Sequence, residues 1–83
     1  MENNYKINLT KKAEKFIKKR DFNTQKRIIK AIFKLPKGDI KKLKGIDDIY
    51  RLRVGHFRVL FEKNDDKLII IVIDVGNRGQ IYN

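Results

Sequence analysis

One stretch of the sequence, residues 50–63, constrains the fold more strongly than any other. Its residues, YRLRVGHFRVLFEK, alternate between apolar and basic side chains with the period of two that is typical of β-strands. Gly55 and His56 interrupt this alternation, and glycine readily adopts the positive φ that a type II′ turn needs at its first central position. The stretch therefore predicts a β-hairpin in which Val54 faces Phe57 across the turn.

The predicted register separates the hairpin into an apolar face and a basic face. Arg51, Arg53 and Arg58 share the basic face, with Arg53 opposite Arg58 and Arg51 opposite Leu60. Opposed side chains on two strands lie about 5 Å apart at Cβ, where like charges repel. The cluster therefore predicts an anion site, and we favour the phosphodiester of an RNA; a solvated face of scattered charges is the alternative. The apolar face pairs Tyr50 with Phe61 and Leu52 with Val59.

Composition limits the classes of protein to which the chain can belong. Its 83 residues suffice for one domain, residues 1–83, with a modest core. A net charge of +11 suits a nucleic acid, an acidic protein partner or both. The absence of cysteine excludes disulfides and thiolate chemistry. The N-terminus is polar and the longest apolar run, residues 68–73, is too short to span a membrane, so we expect a soluble cytoplasmic protein.

The rest of the chain predicts two helices and two further strands. Residues 5–9 alternate as a short strand does, and Thr10 can cap an amphipathic helix of about ten residues. Asn23 or Thr24 can cap a second helix, which ends near Pro36 and Gly38. Residues 39–49 predict an irregular loop, and residues 68–75 predict a strand covered on both faces. The expected buried positions of the second helix and the loop are Ile28, Ile29, Ile32, Phe33, Leu35, Ile40, Leu43 and Ile46.

The order of these elements predicts an α+β domain. The N-terminal strand and an αα-hairpin pack on one face of a small, mostly antiparallel sheet, because the apolar stripes of the helices need a sheet to cover. We expect the first strand to pair with the long last strand. The opposite face of the sheet stays open and carries the arginines.

The hairpin YRLRVGHFRVLFE and the C-terminal segment DVGNRGQIY together resemble the RelE/ParE toxin superfamily, and within it the RelE-type mRNA interferases. The two helices and the LKG segment at 43–45 also follow the family's order, so the resemblance covers nearly the whole chain. It implies the toxin of a type II toxin–antitoxin pair that cleaves mRNA in the ribosomal A site. The RNA 2′-OH attacks the adjacent phosphate and leaves a 2′,3′-cyclic product, with no metal or other cofactor.

The resemblance assigns five catalytic positions. Arg51 and Arg53 match the two basic strand positions, Arg58 the arginine after the turn, Arg78 the arginine of the VG-x-R segment and Tyr82 the C-terminal tyrosine. Guanidinium groups would stabilise the dianionic phosphorane as its charge develops, and the tyrosine could stack on a base. Five lysines are expected to hold RNA or ribosomal phosphates, with a merely solvated surface as the alternative: Lys11, Lys15, Lys41, Lys42 and Lys44.

The proton acceptor stays open at this point. The family often has lysine where this chain has Arg51, and an arginine remains protonated. The candidates are Arg78 through a proton relay, a lysine of residues 41–44, His56 at the turn, or no protein base. We favour electrostatic catalysis with a weak or absent base. Glu62 shares the arginine face, where we expect it to form a salt bridge with Arg51.

Two other functions also remain open. One is a ParE-type toxin that inhibits DNA gyrase without cutting RNA, and the other is a basic RNA-binding module. For a RelE-type toxin, we expect an acidic, partly disordered RelB-like antitoxin that neutralises the +11 charge by covering the helices and the basic face. The ribosome and mRNA would be the further partners.

Overall fold

A computed structural model describes residues 5–43, 45 and 48–77, which form a five-stranded sheet and two helices. The order of the elements is β-α-α-β-β-β-β. Their bounds are β1 Lys6–Leu9, α1 Lys11–Lys18, α2 Phe22–Phe33, β2 Ile40–Lys42, β3 Ile49–Val54, β4 Phe57–Asn64 and β5 Ile69–Asn77.

The sheet confirms the α+β prediction. Its strand order is β1-β5-β4-β3-β2, in which β1 runs parallel to β5 and the other three pairings are antiparallel. The expected pairing of the first strand with the last is therefore confirmed. Of the helices in the described ranges, none is both long enough and apolar enough to cross a membrane.

The two helices begin at side-chain caps. The Thr10 hydroxyl accepts a hydrogen bond from the Ala13 amide at 3.2 Å and donates one to the Ile73 carbonyl at 2.7 Å, so it also fastens α1 to β5. Asp21, and neither Asn23 nor Thr24, caps α2, because its carboxylate accepts bonds from both the amide and the hydroxyl of Thr24. These bonds lower the pKa of Asp21. The predicted cap of α2 was thus misplaced by two or three residues.

The core lies between the helices and one face of the sheet. Ala13 and Ile17 of α1 and Ile28 and Ile32 of α2 are buried against alternate residues of the strands. Phe33 was expected on the buried face of α2, but its side chain is 56% exposed. The residues of α2 that are fully buried are Ile28 and Ile32, so the buried face is narrower than predicted. The buried residues of the sheet and of the segment after α2 are Leu35, Leu52, Val54, Val59, Phe61, Ile70, Val72 and Val75.

In the part of the chain that the structure describes, strand β5 is fully buried on one face and half-buried on the other. Ile70 and Val72 are buried, whereas Ile69, Ile71 and Ile73 are half-buried. The expectation of cover on both faces was wrong, because the described helices all lie on the other side from these residues. Within the described ranges, neither helix covers this second face of the sheet.

The segment predicted as an irregular loop contains an edge strand. In β2, Ile40 pairs with Leu52 and Lys41 with Arg51, antiparallel to β3. Three residues are too few to display a period of two, so only the partner strand reveals the pairing. Ile40 and Leu43 are half-buried, as expected, while the predictions for Lys44 and Ile46 fall outside the described residues.

The start of β1 is tied to the turn between β4 and β5. The Tyr5 hydroxyl donates a hydrogen bond to the Asp65 carboxylate, which also lies 3.3 Å from the Lys63 ammonium. The hydrogen bond raises the pKa of Tyr5 and lowers that of Asp65. These contacts hold the parallel edge strand to the antiparallel part of the sheet.

Candidate functional site

The arginine face is built by the β3–β4 hairpin, whose predicted register is confirmed. Val54 pairs with Phe57, Arg53 with Arg58 and Arg51 with Leu60, as expected from the turn. Gly55 has a φ of 58°, which suits the first central position of a type II′ turn. Because directly opposed residues point to the same face of a sheet, Arg53 and Arg58 are neighbours on the side away from the helices.

The three arginines of this face differ in exposure. Arg51 is 7% exposed, Arg58 is half-buried and the side chain of Arg53 is 40% exposed. The Arg53 Nε atom lies 3.8 Å from the Asp39 carboxylate, a long and solvent-exposed contact. Arg53 and Arg58 therefore form the accessible pair, while Arg51 lies beneath the surface at the next position of the face.

Arg51 carries an unused hydrogen-bond donor. Its Nη1 atom is buried and has no hydrogen-bond partner within the described ranges. A buried donor left unsatisfied costs about 1–3 kcal/mol, and more when the group is charged. The neighbours of Arg51 across the two adjacent strands are Leu60 and Lys41, and neither has a hydrogen-bond acceptor in its side chain. An anionic acceptor would remove this cost.

The salt bridge expected between Glu62 and Arg51 is not formed. Glu62 faces Ile49, one step along the face from the Arg51–Leu60 pair, and it makes no ion pair within residues 5–43, 45 and 48–77. The two side chains share one face, as predicted, but they lie diagonally across the strands and not directly opposite each other. The prediction did not take this offset into account. Glu62 therefore does not neutralise Arg51.

The lysines predicted to bind RNA lie on different surfaces. Lys41 is exposed and opposite Arg51, so it extends the arginine face onto β2, while Lys42 faces Tyr50 and points the other way. Lys11 and Lys15 are exposed on α1, which packs on the opposite side of the sheet. Of the predicted lysines that the structure describes, it brings only Lys41 to the arginines. Lys44, Arg78 and Tyr82 fall outside the described residues.

Two residues of β5 belong to the arginine face although the sequence did not indicate them. Gly76 pairs with Arg58, and Asp74 pairs with Leu60. Asp74 forms an ion pair with Lys12 at 3.4 Å. The pairing of β5 with β4 shifts in register between Leu60 and Phe61 of β4, which marks a β-bulge. The sequence does not reveal this bulge, because β5 is a nearly uniform run of apolar residues. His56 is exposed at the turn, as its position predicted.

Comparison with known proteins identifies relatives along nearly the whole chain. Residues 7–82 match the family model of the ParE toxin of the type II toxin–antitoxin system parDE. A RelE-like toxin protein of Escherichia coli is 34% identical over 95% of this chain and 90% of its own length. The mRNA interferase toxin RelE of E. coli K12 is 29% identical over 70% of this chain and 65% of its own length. The match to a RelE toxin of Methanocaldococcus jannaschii is 52% identical over 54% of this chain, and the chain spans about half the length of this relative.

Solved structures share the same fold. The RelE–RelB complex of Pyrococcus horikoshii contains a chain of 25% identity with a TM-score of 0.75, covering 92% of this chain and 97% of that one. The RelB–RelE complex of Methanococcus jannaschii gives 34% identity and a TM-score of 0.71, covering 90% of this chain and 94% of that one. The order of elements, the opposed arginines and these matches agree, and the chain belongs to the RelE/ParE superfamily of toxins from type II toxin–antitoxin systems, as a RelE-type member.

Proposed function

We propose that this toxin is a ribosome-dependent endoribonuclease that cleaves mRNA in the A site. The observation that carries the proposal is the direct pairing of Arg53 with Arg58 on the face of the sheet that the described helices leave open. A fold that places like charges opposite each other accepts a cost in stability, and a bound phosphodiester offsets that cost. The name of the E. coli relative, an mRNA interferase, supports the same activity.

The arginine face fits the chemistry of internal RNA cleavage. The 2′-OH attacks the adjacent phosphate and loses its proton to solvent, and a P–O bond to that oxygen forms. The bond to the 5′-oxygen of the next nucleotide breaks, and this oxygen leaves as a hydroxyl after taking a proton from solvent. Negative charge accumulates on the phosphorane oxygens in the transition state, where fixed guanidinium donors stabilise it most. Arg53 and Arg58 supply planar, bidentate donors, and the free donor of Arg51 supplies a further contact.

Proton transfer would contribute little to this reaction. Guanidinium groups are donors and not proton acceptors in proteins, so the role assigned to Arg51, Arg53 and Arg58 is charge stabilisation and not general-base catalysis. Charge stabilisation and the in-line placement of the 2′-OH would supply most of the rate, and the ribosome would hold the message in that geometry. The proposal assigns Arg78 and Tyr82 to the remaining contacts with the phosphate and a base. The family match includes both positions.

The experiment is cleavage of a defined message on purified ribosomes whose A site holds a chosen codon. Wild type should cut within that codon and leave a 2′,3′-cyclic end, and a 2′-deoxy substitution at the attacking nucleotide should abolish the cut. The same message without ribosomes should be cut far more slowly. Cleavage that ignores the 2′-deoxy substitution would contradict the mechanism.

Inhibition of DNA gyrase is the second candidate function. It is favoured by one observation, the match of residues 7–82 to the ParE toxin model. A supercoiling assay with purified gyrase separates the two functions. Inhibition of supercoiling that survives the Arg58→Ala substitution, together with an uncut ribosomal message, would replace the nuclease proposal by this one.

An antitoxin would be the cellular partner in either case. The solved relatives of the same fold are complexes of RelE with RelB. The net charge of +11 favours a small acidic partner that neutralises it, and the ribosome and mRNA would be the partners of the free toxin in the cytoplasm. A binding measurement with the small protein encoded beside this toxin tests the assignment.

A further inference from the structure

Phe22, the first residue of α2, is the most exposed large apolar residue in the ranges that the structure describes, with 71% of its surface accessible to solvent. The core is served by other residues of the helix, since Ile28 and Ile32 are the buried ones. Single exposed apolar residues are common on protein surfaces. The surroundings of the ring therefore decide whether it has a ligand.

The helices around Phe22 are strongly basic. Together α1 and α2 contain seven basic residues and one acidic residue, Glu14. The nearest carboxylate along the chain, that of Asp21, is engaged in the helix cap, since it accepts bonds from the amide and the hydroxyl of Thr24. The ring is thus set in a surface of positive charge, which suits a polyanion.

A side-chain amide holds the end of α1 beside the start of α2. The Gln25 Nε2 atom donates hydrogen bonds to the carbonyl oxygens of Lys18 at 3.3 Å and Arg20 at 2.7 Å. Lys18 therefore flanks the first turn of α2, where Phe22 lies. The Lys18 ammonium is exposed, and its contact with the Glu14 carboxylate is long, at 4.0 Å.

A second cation lies against the ring itself. The Lys26 Nζ atom is 5.2 Å from the centroid of the Phe22 ring, one turn further along α2. A cation–π contact at an exposed site is weak. It occupies one face of the ring at most, and the high exposure of Phe22 leaves the ring accessible to a further planar group.

The form of this surface decides between a protein segment and an RNA base. A protein segment that docks through apolar side chains needs a contiguous apolar patch, whereas the residues that follow Phe22 in the first turn are polar: Asn23, Thr24, Gln25 and Lys26. An unpaired base needs one ring on which to stack, while its phosphates reach neighbouring cations. A single ring between Lys18 and Lys26 matches the second requirement.

The position of Phe22 decides which RNA it can meet. The helices lie on the side of the sheet opposite to Arg53 and Arg58, so a base on Phe22 does not belong to the nucleotides held by those arginines. Apart from the message, the RNA that surrounds a protein in the A site is ribosomal.

We propose that Phe22 stacks on an unpaired base of ribosomal RNA, with Lys18 and Lys26 on the flanking phosphates. The inference rests on the proposed ribosomal function and adds a contact that anchors the toxin, apart from the residues that act on the message. The contact therefore determines affinity for the ribosome and leaves the rate of the bound enzyme unchanged.

The test measures the affinity of the full chain for ribosomes whose message carries the 2′-deoxy substitution that prevents cleavage. Phe22→Ala should weaken binding about 10-fold, as expected for the loss of one stacked base. Phe22→Leu keeps an apolar side chain without the ring and should lose as much, whereas Phe22→Trp should bind at least as tightly as wild type. The matched control, Phe33→Ala, removes an exposed phenylalanine about 16 Å away at the other end of α2 and should change affinity less than about 2-fold.

Salt dependence tests the two lysines. Lys18→Gln/Lys26→Gln should lower the slope of log affinity against log salt by about 1–2, because two phosphate contacts are lost. Phe22→Ala should leave this slope unchanged, since stacking releases no counterions. Circular dichroism verifies folding, and the comparison of Phe22→Leu with Phe22→Trp carries the test if Phe22→Ala fails to fold.

A photoreactive side chain identifies the partner. Phe22→p-benzoylphenylalanine should crosslink to ribosomal RNA on irradiation, and Phe33→p-benzoylphenylalanine should not crosslink to the same nucleotide. With a cleavable message and saturating toxin, Phe22→Ala should cut within about 2-fold of the wild-type rate, because the ring does not touch the reacting phosphate.

Several results would overturn the inference. They are wild-type affinity of Phe22→Ala, full affinity of Phe22→Leu, an unchanged salt slope in the lysine variant, and a crosslink to the message or to a ribosomal protein. Each of them leaves the nuclease proposal standing, because wild type still binds and cleaves. Failure of wild type to bind ribosomes would overturn both proposals, so the two failures are distinguishable.

Discussion

Arg53 and Arg58 should repel each other measurably in the folded protein. Their direct pairing across β3 and β4 brings the Cβ atoms to about 5 Å, and the long side chains can diverge until the charges are about 6–8 Å apart. In a nearly aqueous environment, this separation gives a repulsion of about 0.5–1 kcal/mol. The partial exposure of Arg53 supports the use of a high dielectric constant.

A double-mutant cycle measures this repulsion. Arg58→Gln relieves the repulsion only where Arg53 is present. Its effect on the free energy of unfolding should therefore be more stabilising, by about 0.5–1 kcal/mol, in wild type than in the Arg53→Gln variant. The contact between Arg53 and Asp39 is the same in wild type and in the Arg58 variant, so it cancels in the cycle. Urea denaturation with circular dichroism gives each free energy.

Salt and a matched cycle separate the repulsion from other effects. In about 1 M salt the Debye length falls to about 3 Å, so the coupling should shrink toward zero. A control cycle with Arg53→Gln and Lys67→Gln joins residues of distant elements and should show no coupling. A coupling energy near zero at low salt, or one that favours the arginine pair, would refute the reasoning that Arg53 and Arg58 destabilise the folded protein when no anion is bound.

Three further predictions concern the fold that carries the site. Thr10→Ala should lower the free energy of unfolding by about 1–2 kcal/mol, because the cap of α1 and the bond to the Ile73 carbonyl are lost together, whereas Thr10→Ser should restore most of it in a urea titration. Gly38→Ala should cost about 1–3 kcal/mol, because the glycine has a φ of 129°, and an unchanged melting temperature would contradict this. The pKa of Asp21 is lower in the folded state than in the unfolded state, so its carboxylate stabilises the folded protein at pH values above the unfolded pKa of about 3.9. This contribution is lost as the pH falls through the folded-state pKa. Melting curves between about pH 2 and 6 should therefore show a weaker acid dependence for Asp21→Asn than for wild type, while an identical dependence would exclude the contribution of the cap.

The hairpin was predictable because its information is local. The glycine at the turn and the alternation on both sides determine which residues oppose each other, so the Arg53–Arg58 pair follows from the sequence alone. The cap of α1 followed from Thr10 for the same reason. The cap of α2 did not, because Asp21, Asn23 and Thr24 can all serve, and the choice depends on where the chain leaves α1.

The features that escaped prediction depend on distant residues. The three residues of β2 become a strand only through pairing with β3, and the bulge of β5 is hidden in a run of Ile and Val. The burial of Arg51 and the free donor on it arise from tertiary packing, which alternation cannot reveal.

The most direct measurement of the central claim is the single-turnover rate of A-site cleavage by Arg58→Ala, compared with wild type and with Lys19→Ala as a matched exposed control. If the opposed arginines stabilise the transition state, Arg58→Ala should slow cleavage by about 100-fold or more while Lys19→Ala cleaves at the wild-type rate. A folded Arg58→Ala protein that cleaves within about 3-fold of wild type would contradict the account, because removal of a donor to the phosphorane cannot be that mild.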